Sequence, residues 1–118
     1  MEKGEFVDYV ERLMTKEGIT PDLYNDEESG ADFIIINPNC RILIKCVYTD
    51  KMVDTRVIKR ELSDLNVLDT DRIILVLNNE IADPAIRYAI MNKKNETNVV
   101  TCWKTYTLKY VIKRFSSM

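Results

Sequence analysis

Two charges stand where a charge is expensive. Asp32 sits at the mouth of the apolar run Phe33–Ile36, and Lys45 lies inside a second apolar run, residues 42–47. A charge in a buried strand is unfavourable unless it is paired, so Lys45 is expected either to reach solvent at a sheet edge or to meet Asp32. Any catalysis in this chain would rest on carboxylates, lysines, tyrosines or a hard metal ion held by oxygen ligands. Glu5, Asp8 and Glu11 lie on an N-terminal helical stretch.

Other chemistries are excluded by composition. The chain has no histidine, which removes the Ser-His-Asp and Cys-His arrangements and any zinc site that needs imidazole. Cys40, Cys46 and Cys102 show no Cys-x-x-Cys spacing and read as reduced thiols, consistent with an intracellular location, cytoplasmic or nuclear. With three glycines there is no phosphate-cradling loop of the Walker or Rossmann kind. The acidic stretch Asp26, Glu27, Glu28 lacks the spacing of a calcium loop and reads as a solvated loop. Net charge is -2, unevenly spread: residues 1–39 hold ten acids against three bases, residues 40–118 nine against fourteen. A local basic face is therefore available for a polyanion, with Lys51, Arg56, Lys59 and Arg60 in one cluster and Lys104, Lys109, Lys113 and Arg114 in another. Tyr106 and Tyr110, four apart, read as the rim of a core, and Asn95-Glu96-Thr97 matches a glycosylation acceptor by chance.

The elements that must position these residues follow from periodicity. Phe6, Tyr9, Val10, Leu13 and Met14 predict a helix over 5–16, stopped by Gly18. The two apolar runs, joined by Asn37, Pro38 and Asn39, predict a hairpin. Both runs are continuously apolar, which predicts a sheet covered on both faces. Asp50 or Asp54 would cap a helix to about Asn66, with Val57, Ile58, Leu62 and Leu65 inward. A strand over 72–77 follows, then a helix with Asp83 as N-cap, Pro84 at its first position, and Ala85, Ile86, Ala89 and Ile90 inward. A strand over 98–103 and a last helix capped by Thr105, with Leu108, Val111, Ile112 and Phe115 on one face, complete the chain. The expectation is one α/β domain over 1–118, a four-stranded mixed sheet flanked by helices in the order αββαβαβα.

This order, with the hairpin GADFIIINPNCRILIKCVY, resembles the core of the PD-(D/E)xK nucleases, in particular the Mrr-like restriction endonuclease branch. That branch places Asp at the start of one strand and, after a short turn, Glu or Gln, one residue and Lys on the next. Aligned without gaps on Asp32, Lys45 falls on the Glu/Gln position, Cys46 on the intervening one and Val47 on the Lys. A shift of two residues puts Lys45 on the Lys and Leu43 on the acid. Arg60-Glu61-Leu62 and Asp83-Pro84-Ala85 match two further features; the acid of the first helix is missing after Phe6 or displaced to Glu5 or Asp8. The resemblance implies a restriction-endonuclease-like core, with Asp32 as catalytic residue and metal ligand and Lys45 as the catalytic cation.

The reading is of a catalytically degenerate nuclease-fold domain that binds DNA, another nucleic acid or a nucleic-acid-processing complex through Lys51, Arg56, Lys59 and Arg60. On that reading no cofactor is expected. An active magnesium-dependent endonuclease with a migrated acidic ligand is the rival. A structural subunit resembling the jaw domain of the fifth common subunit of eukaryotic RNA polymerases is another. A homodimer is compatible with either nuclease-fold reading.

Overall fold

The computed structural model of the chain describes residues 1–92 and 94–117, with Thr105 and Tyr106 described by their backbone alone. Its elements are α1 (Lys3–Lys16), β1 (Leu23–Tyr24), β2 (Phe33–Ile36), β3 (Arg41–Val47), α2 (Thr55–Ser63), β4 (Arg72–Leu77), α3 (Asp83–Ile90), β5 (Thr97–Thr101) and α4 (Thr105–Ser116). The strands form one mixed sheet in the order β1-β2-β3-β4-β5, antiparallel from β1 to β3 and parallel from β3 to β5. The sheet thus has five strands, one more than periodicity predicts. The extra strand has only two residues, both exposed, and two residues carry no alternation to read. It exists through its pairing with β2, reinforced by the Tyr24 and Phe33 rings meeting edge to face at 5.8 Å.

Helices cover both faces, as the unbroken apolar runs require. Phe33, Ile42, Ile44 and Cys46 join Phe6, Val10 and Met14 of α1 and Leu108, Val111 and Phe115 of α4 in one core. Ile34, Leu43 and Val47 point the other way, into a second core with Ile58 of α2 and Ala85 and Ala89 of α3. The connections β3-α2-β4 and β4-α3-β5 step the same way across the sheet, and crossovers of one hand then leave both helices on one face. The chain returns to the opposite face only with α4.

Local signals set the element ends. Gly18 closes α1 at φ +75, a left-handed conformation that costs glycine little, and the Ile19 N–H returns to the Met14 carbonyl at 2.8 Å. Asp54 is the N-cap of α2, its Oδ1 accepting the Val57 N–H at 3.0 Å. That helix stops at Ser63, short of Asn66, because loop 26–31 packs there: Asn66 N–H donates to the Ser29 carbonyl at 2.9 Å. Gly30, at φ +82, has the Asp64 carbonyl oxygen 3.0 Å from where a Cβ would stand. The N-cap of α3 is Ala82, so Asp83 and Pro84 lie inside the first turn. Its short apolar stripe buries Ala85 and Ala89 and leaves Ile90 64% exposed, outside the core the periodicity gave it. β5 starts and ends earlier than 98–103, and Lys104 rather than Thr105 is the N-cap of α4. The expected pairing of Tyr106 with Tyr110 lies outside the described side chains; Tyr110 itself is exposed. Among the described residues no helix is long and apolar enough to cross a membrane.

The entrance to β3 and β4 is tied by one buried carboxylate. Asp71 accepts Arg41 Nε at 3.0 Å and Arg41 Nη2 at 2.7 Å, and its Oδ2 also accepts the Leu68 N–H at 2.8 Å. The Asn95 amide donates to the Leu68 and Asp71 carbonyls, both at 2.9 Å, so the side chain of the sequence triplet 95–97 is buried and occupied. Truncating one partner of a buried pair strands the other. Asp71→Ala is expected to lose about 3 kcal/mol of unfolding free energy in urea titration, and Arg41→Ala, whose side chain is 31% exposed, clearly less.

Candidate functional site

Asp32 precedes β2, where the chain leaves loop 26–31 and enters the sheet. Its N–H donates to the Ile44 carbonyl at 3.0 Å and its own carbonyl accepts the Asn25 N–H at 2.8 Å. The ladder between β2 and β3 ends here, and Asp32 ends it with its side chain: Oδ2 accepts the Cys46 N–H at 2.7 Å. A strand N–H that would otherwise lack an acceptor is thereby satisfied. Burial, and then the neighbouring Asp32 charge, push the Cys46 thiol well above its ordinary pKa. At neutral pH it is a protonated apolar group and no nucleophile. Asp32 also opens onto a cleft of about 410 Å³ against the first turns of α1, lined by Lys3, Gly4, Val7, Asp8 and Asn25. Of the helix acids, Asp8 is thus the one that shares the cleft with Asp32. Glu5 is engaged elsewhere, accepting the Glu2 N–H at 3.1 Å at the start of α1.

Lys45 goes the other way. It lies in the middle strand, 7% exposed, and its Nζ is 3.6 Å from Glu61 Oε2 on α2. It reaches neither an edge nor Asp32. Alternation along β3 explains this: Ile44 and Cys46 face α1, so Lys45 shares the α2 side with Leu43 and Val47. Glu61 also accepts Arg60 Nη2 at 3.4 Å, so one carboxylate serves two cations. Asp32 bonds the backbone on either side of Lys45, at Ile44 and Cys46, yet the two side chains have different partners: Asp32 takes the Cys46 N–H and lines the α1 cleft, whereas Lys45 reaches Glu61 on α2. Glu61 was visible in the sequence only as part of Arg60-Glu61-Leu62; its proximity to Lys45 has no local signal.

The donor set does not fit a firmly held magnesium ion of the kind the resemblance implies. Such an ion takes carboxylates in octahedral array with water and phosphate oxygens. Asp32 offers one carboxylate already bonded to a backbone N–H, and its cleft contains the Lys3 side chain as well as Asp8. The gapless motif puts a second acid where Lys45 stands. Among the described residues no three His, Cys, Asp or Glu side chains lie close enough together to hold a metal.

The expected nucleic-acid ligands are all on the α2 side of the chain or its approach. Lys51 is exposed before α2, and Arg56, Lys59 and Arg60 are exposed along it. Arg60 is drawn to Glu61, whereas Lys59 Nζ stands 5.3 Å from the centroid of the Tyr88 ring on α3. The second basic cluster lies on and before α4, whose core packs against the other face of the sheet, so the sheet separates the two clusters. In the acidic loop, Asp26 accepts the Ser29 N–H at 3.0 Å, and its bonding to Ser29 lowers its pKa.

A family model described as restriction endonuclease (Mrr_cat) matches residues 1–112 of the chain. No curated protein and no solved structure matches significantly.

The Lys45–Glu61 pair yields a clear expectation for stability. Glu61→Ala leaves an ammonium on an apolar face and should cost about 3 kcal/mol, while Lys45→Met with Glu61→Leu should recover most of that loss. Urea titration of the two proteins measures both; a double variant no more stable than Glu61→Ala would show that the pair is not what determines the cost.

Proposed function

Because the chain belongs to the Mrr restriction endonuclease family, whose model spans residues 1–112, we propose that it is a nuclease-fold domain with a degenerate catalytic set that acts by binding nucleic acid. The observation that carries this reading is the state of Lys45. The gapless alignment gives its position to the second metal-binding acid, and a lysine there presents a cation to a cation. Its charge is moreover taken up by Glu61 at 3.6 Å. Val47, on the position of the family's lysine, is 1% exposed among aliphatic side chains and has no proton or charge to offer. Asp32 keeps the right chemistry, but its carboxylate completes a backbone ladder and forms no ion pair with Lys45 among the described residues.

Binding is supported by the exposed cations of α2. Residues 40–118 hold fourteen bases against nine acids, and of the acids around α2 Asp54 is engaged as its cap and Glu61 by Lys45 and Arg60. The restriction-endonuclease-like core then serves as a rigid support: two cores hold the sheet, and the cations ride on a helix whose inner face is locked by Ile58.

The test uses labelled single- and double-stranded DNA and RNA with magnesium or manganese, beside Asp32→Ala. The expected result is no metal-dependent cutting by either protein, with binding that weakens steeply as salt rises. Cutting by the parent that Asp32→Ala abolishes would establish an active nuclease, with Asp8 the first candidate for the displaced ligand. An absence of both cutting and binding would refute the nucleic-acid reading.

A further inference from the structure

The α2–α3 face carries more than the cations the sequence pointed to. Tyr88 of α3 is 41% exposed, with Lys59 of α2 over its ring. It stands between two adjoining clefts that it lines together with Asn92. One, of about 600 Å³, adds Thr55, Pro84, Arg87 and Met91. The other, of about 290 Å³, is bordered by Lys59 and Lys94. Arg56, Lys59, Arg87 and Lys94 are in no ion pair among the described residues. Of the acids near in sequence, Asp54 caps α2, Glu61 takes up Lys45 and Arg60, and Asp83 lies in the first turn of α3, while Asp64 and Glu96 are exposed.

We propose that this face is a binding site for single-stranded nucleic acid, in which an unpaired base stacks on Tyr88 while Arg56, Lys59, Arg87 and Lys94 follow the phosphates on either side. The proposal rests on the nucleic-acid reading above and gives it a place, on the opposite side of the sheet from the Asp32 cleft. Charge complementarity selects the polyanion: Lys59, Arg87 and Lys94, none of them in an ion pair among the described residues, line the clefts beside one aromatic ring, and Arg56 lies one turn before Lys59 on α2. The ring selects the single strand. An exposed aromatic offers a base its π-face, which a duplex has already used within its own stack. Lysine over one part of the ring does not block this, since a flexible ammonium can turn from the ring to a phosphate. Clefts on both sides leave room for the neighbouring nucleotides.

Anisotropy of a labelled single strand of about 16 nucleotides tests the idea. Tyr88→Ala is expected to weaken binding about tenfold or more, and Tyr88→Phe, which keeps the π-face, to stay within about twofold. Arg87→Ala should reduce the slope of log affinity against log salt by about 0.7. Lys16→Ala on α1 is the control and should change neither the affinity nor the salt slope. All three positions replaced are exposed, so an unchanged circular dichroism spectrum is expected to accompany each variant. If the parent binds the strand and Tyr88→Ala binds equally well, this site is refuted and the broader nucleic-acid reading stands. A duplex of the same sequence bound more tightly than the strand also refutes it. If the parent binds neither strand nor duplex, both fall, and an acidic protein partner becomes the occupant to pursue.

Discussion

Everything in this structure depends on a central strand that has no wet side. β3 is flanked by β2 and β4 and covered by helices on both faces, so its residues from Ile42 to Val47 are removed from water. For Ile42, Leu43, Ile44 and Val47 this is favourable, about 2 kcal/mol for each side chain. For Lys45 it is the reverse, and several kcal/mol of lost hydration must be offset by a partner. Glu61 is that partner, carried by α2, which packs on the sheet through Ile58. The same charge that makes the strand unusual thus becomes a contact between layers.

A second consequence concerns the end of the β2–β3 pairing. Asp32 can face a cleft only because the chain leaves the pleat at loop 26–31, and it bonds Cys46 across the last rung. A catalytic constellation of the nuclease type needs acid and lysine brought together in one place. Here the pleat takes Lys45 to α2 while the loop takes Asp32 toward α1. The pleat and the loop thus give the two charges separate partners.

Much of the architecture was legible in the order of residues. Continuous apolar runs around an Asn-Pro-Asn turn mean a doubly covered hairpin, and Phe6, Val10 and Met14 at four-residue spacing mean a helix with one buried stripe; both are found. The misses have physical causes. β1 is too short to carry a period, and α2 ends early because a distant loop packs against its last turn. Ile90 is apolar on a helix whose core contact is made by two alanines closer to the sheet, so periodicity alone placed it inside.

By itself, then, the sequence determined the elements, their alternation and the reach of the family resemblance, because these rest on local spacing and on the hydrophobic pattern that any covered sheet demands. It also flagged Asp32 and Lys45 as charges requiring an explanation. Which explanation holds was decided by tertiary structure alone. The partner of Lys45 comes from a helix on the following crossover, Asp8 joins Asp32 through the packing of α1, and Tyr88 meets Lys59 across two helices. None of these pairs is near in sequence, and an ion pair or a ring contact leaves no periodic trace; only the folded layers bring their members within a few ångströms.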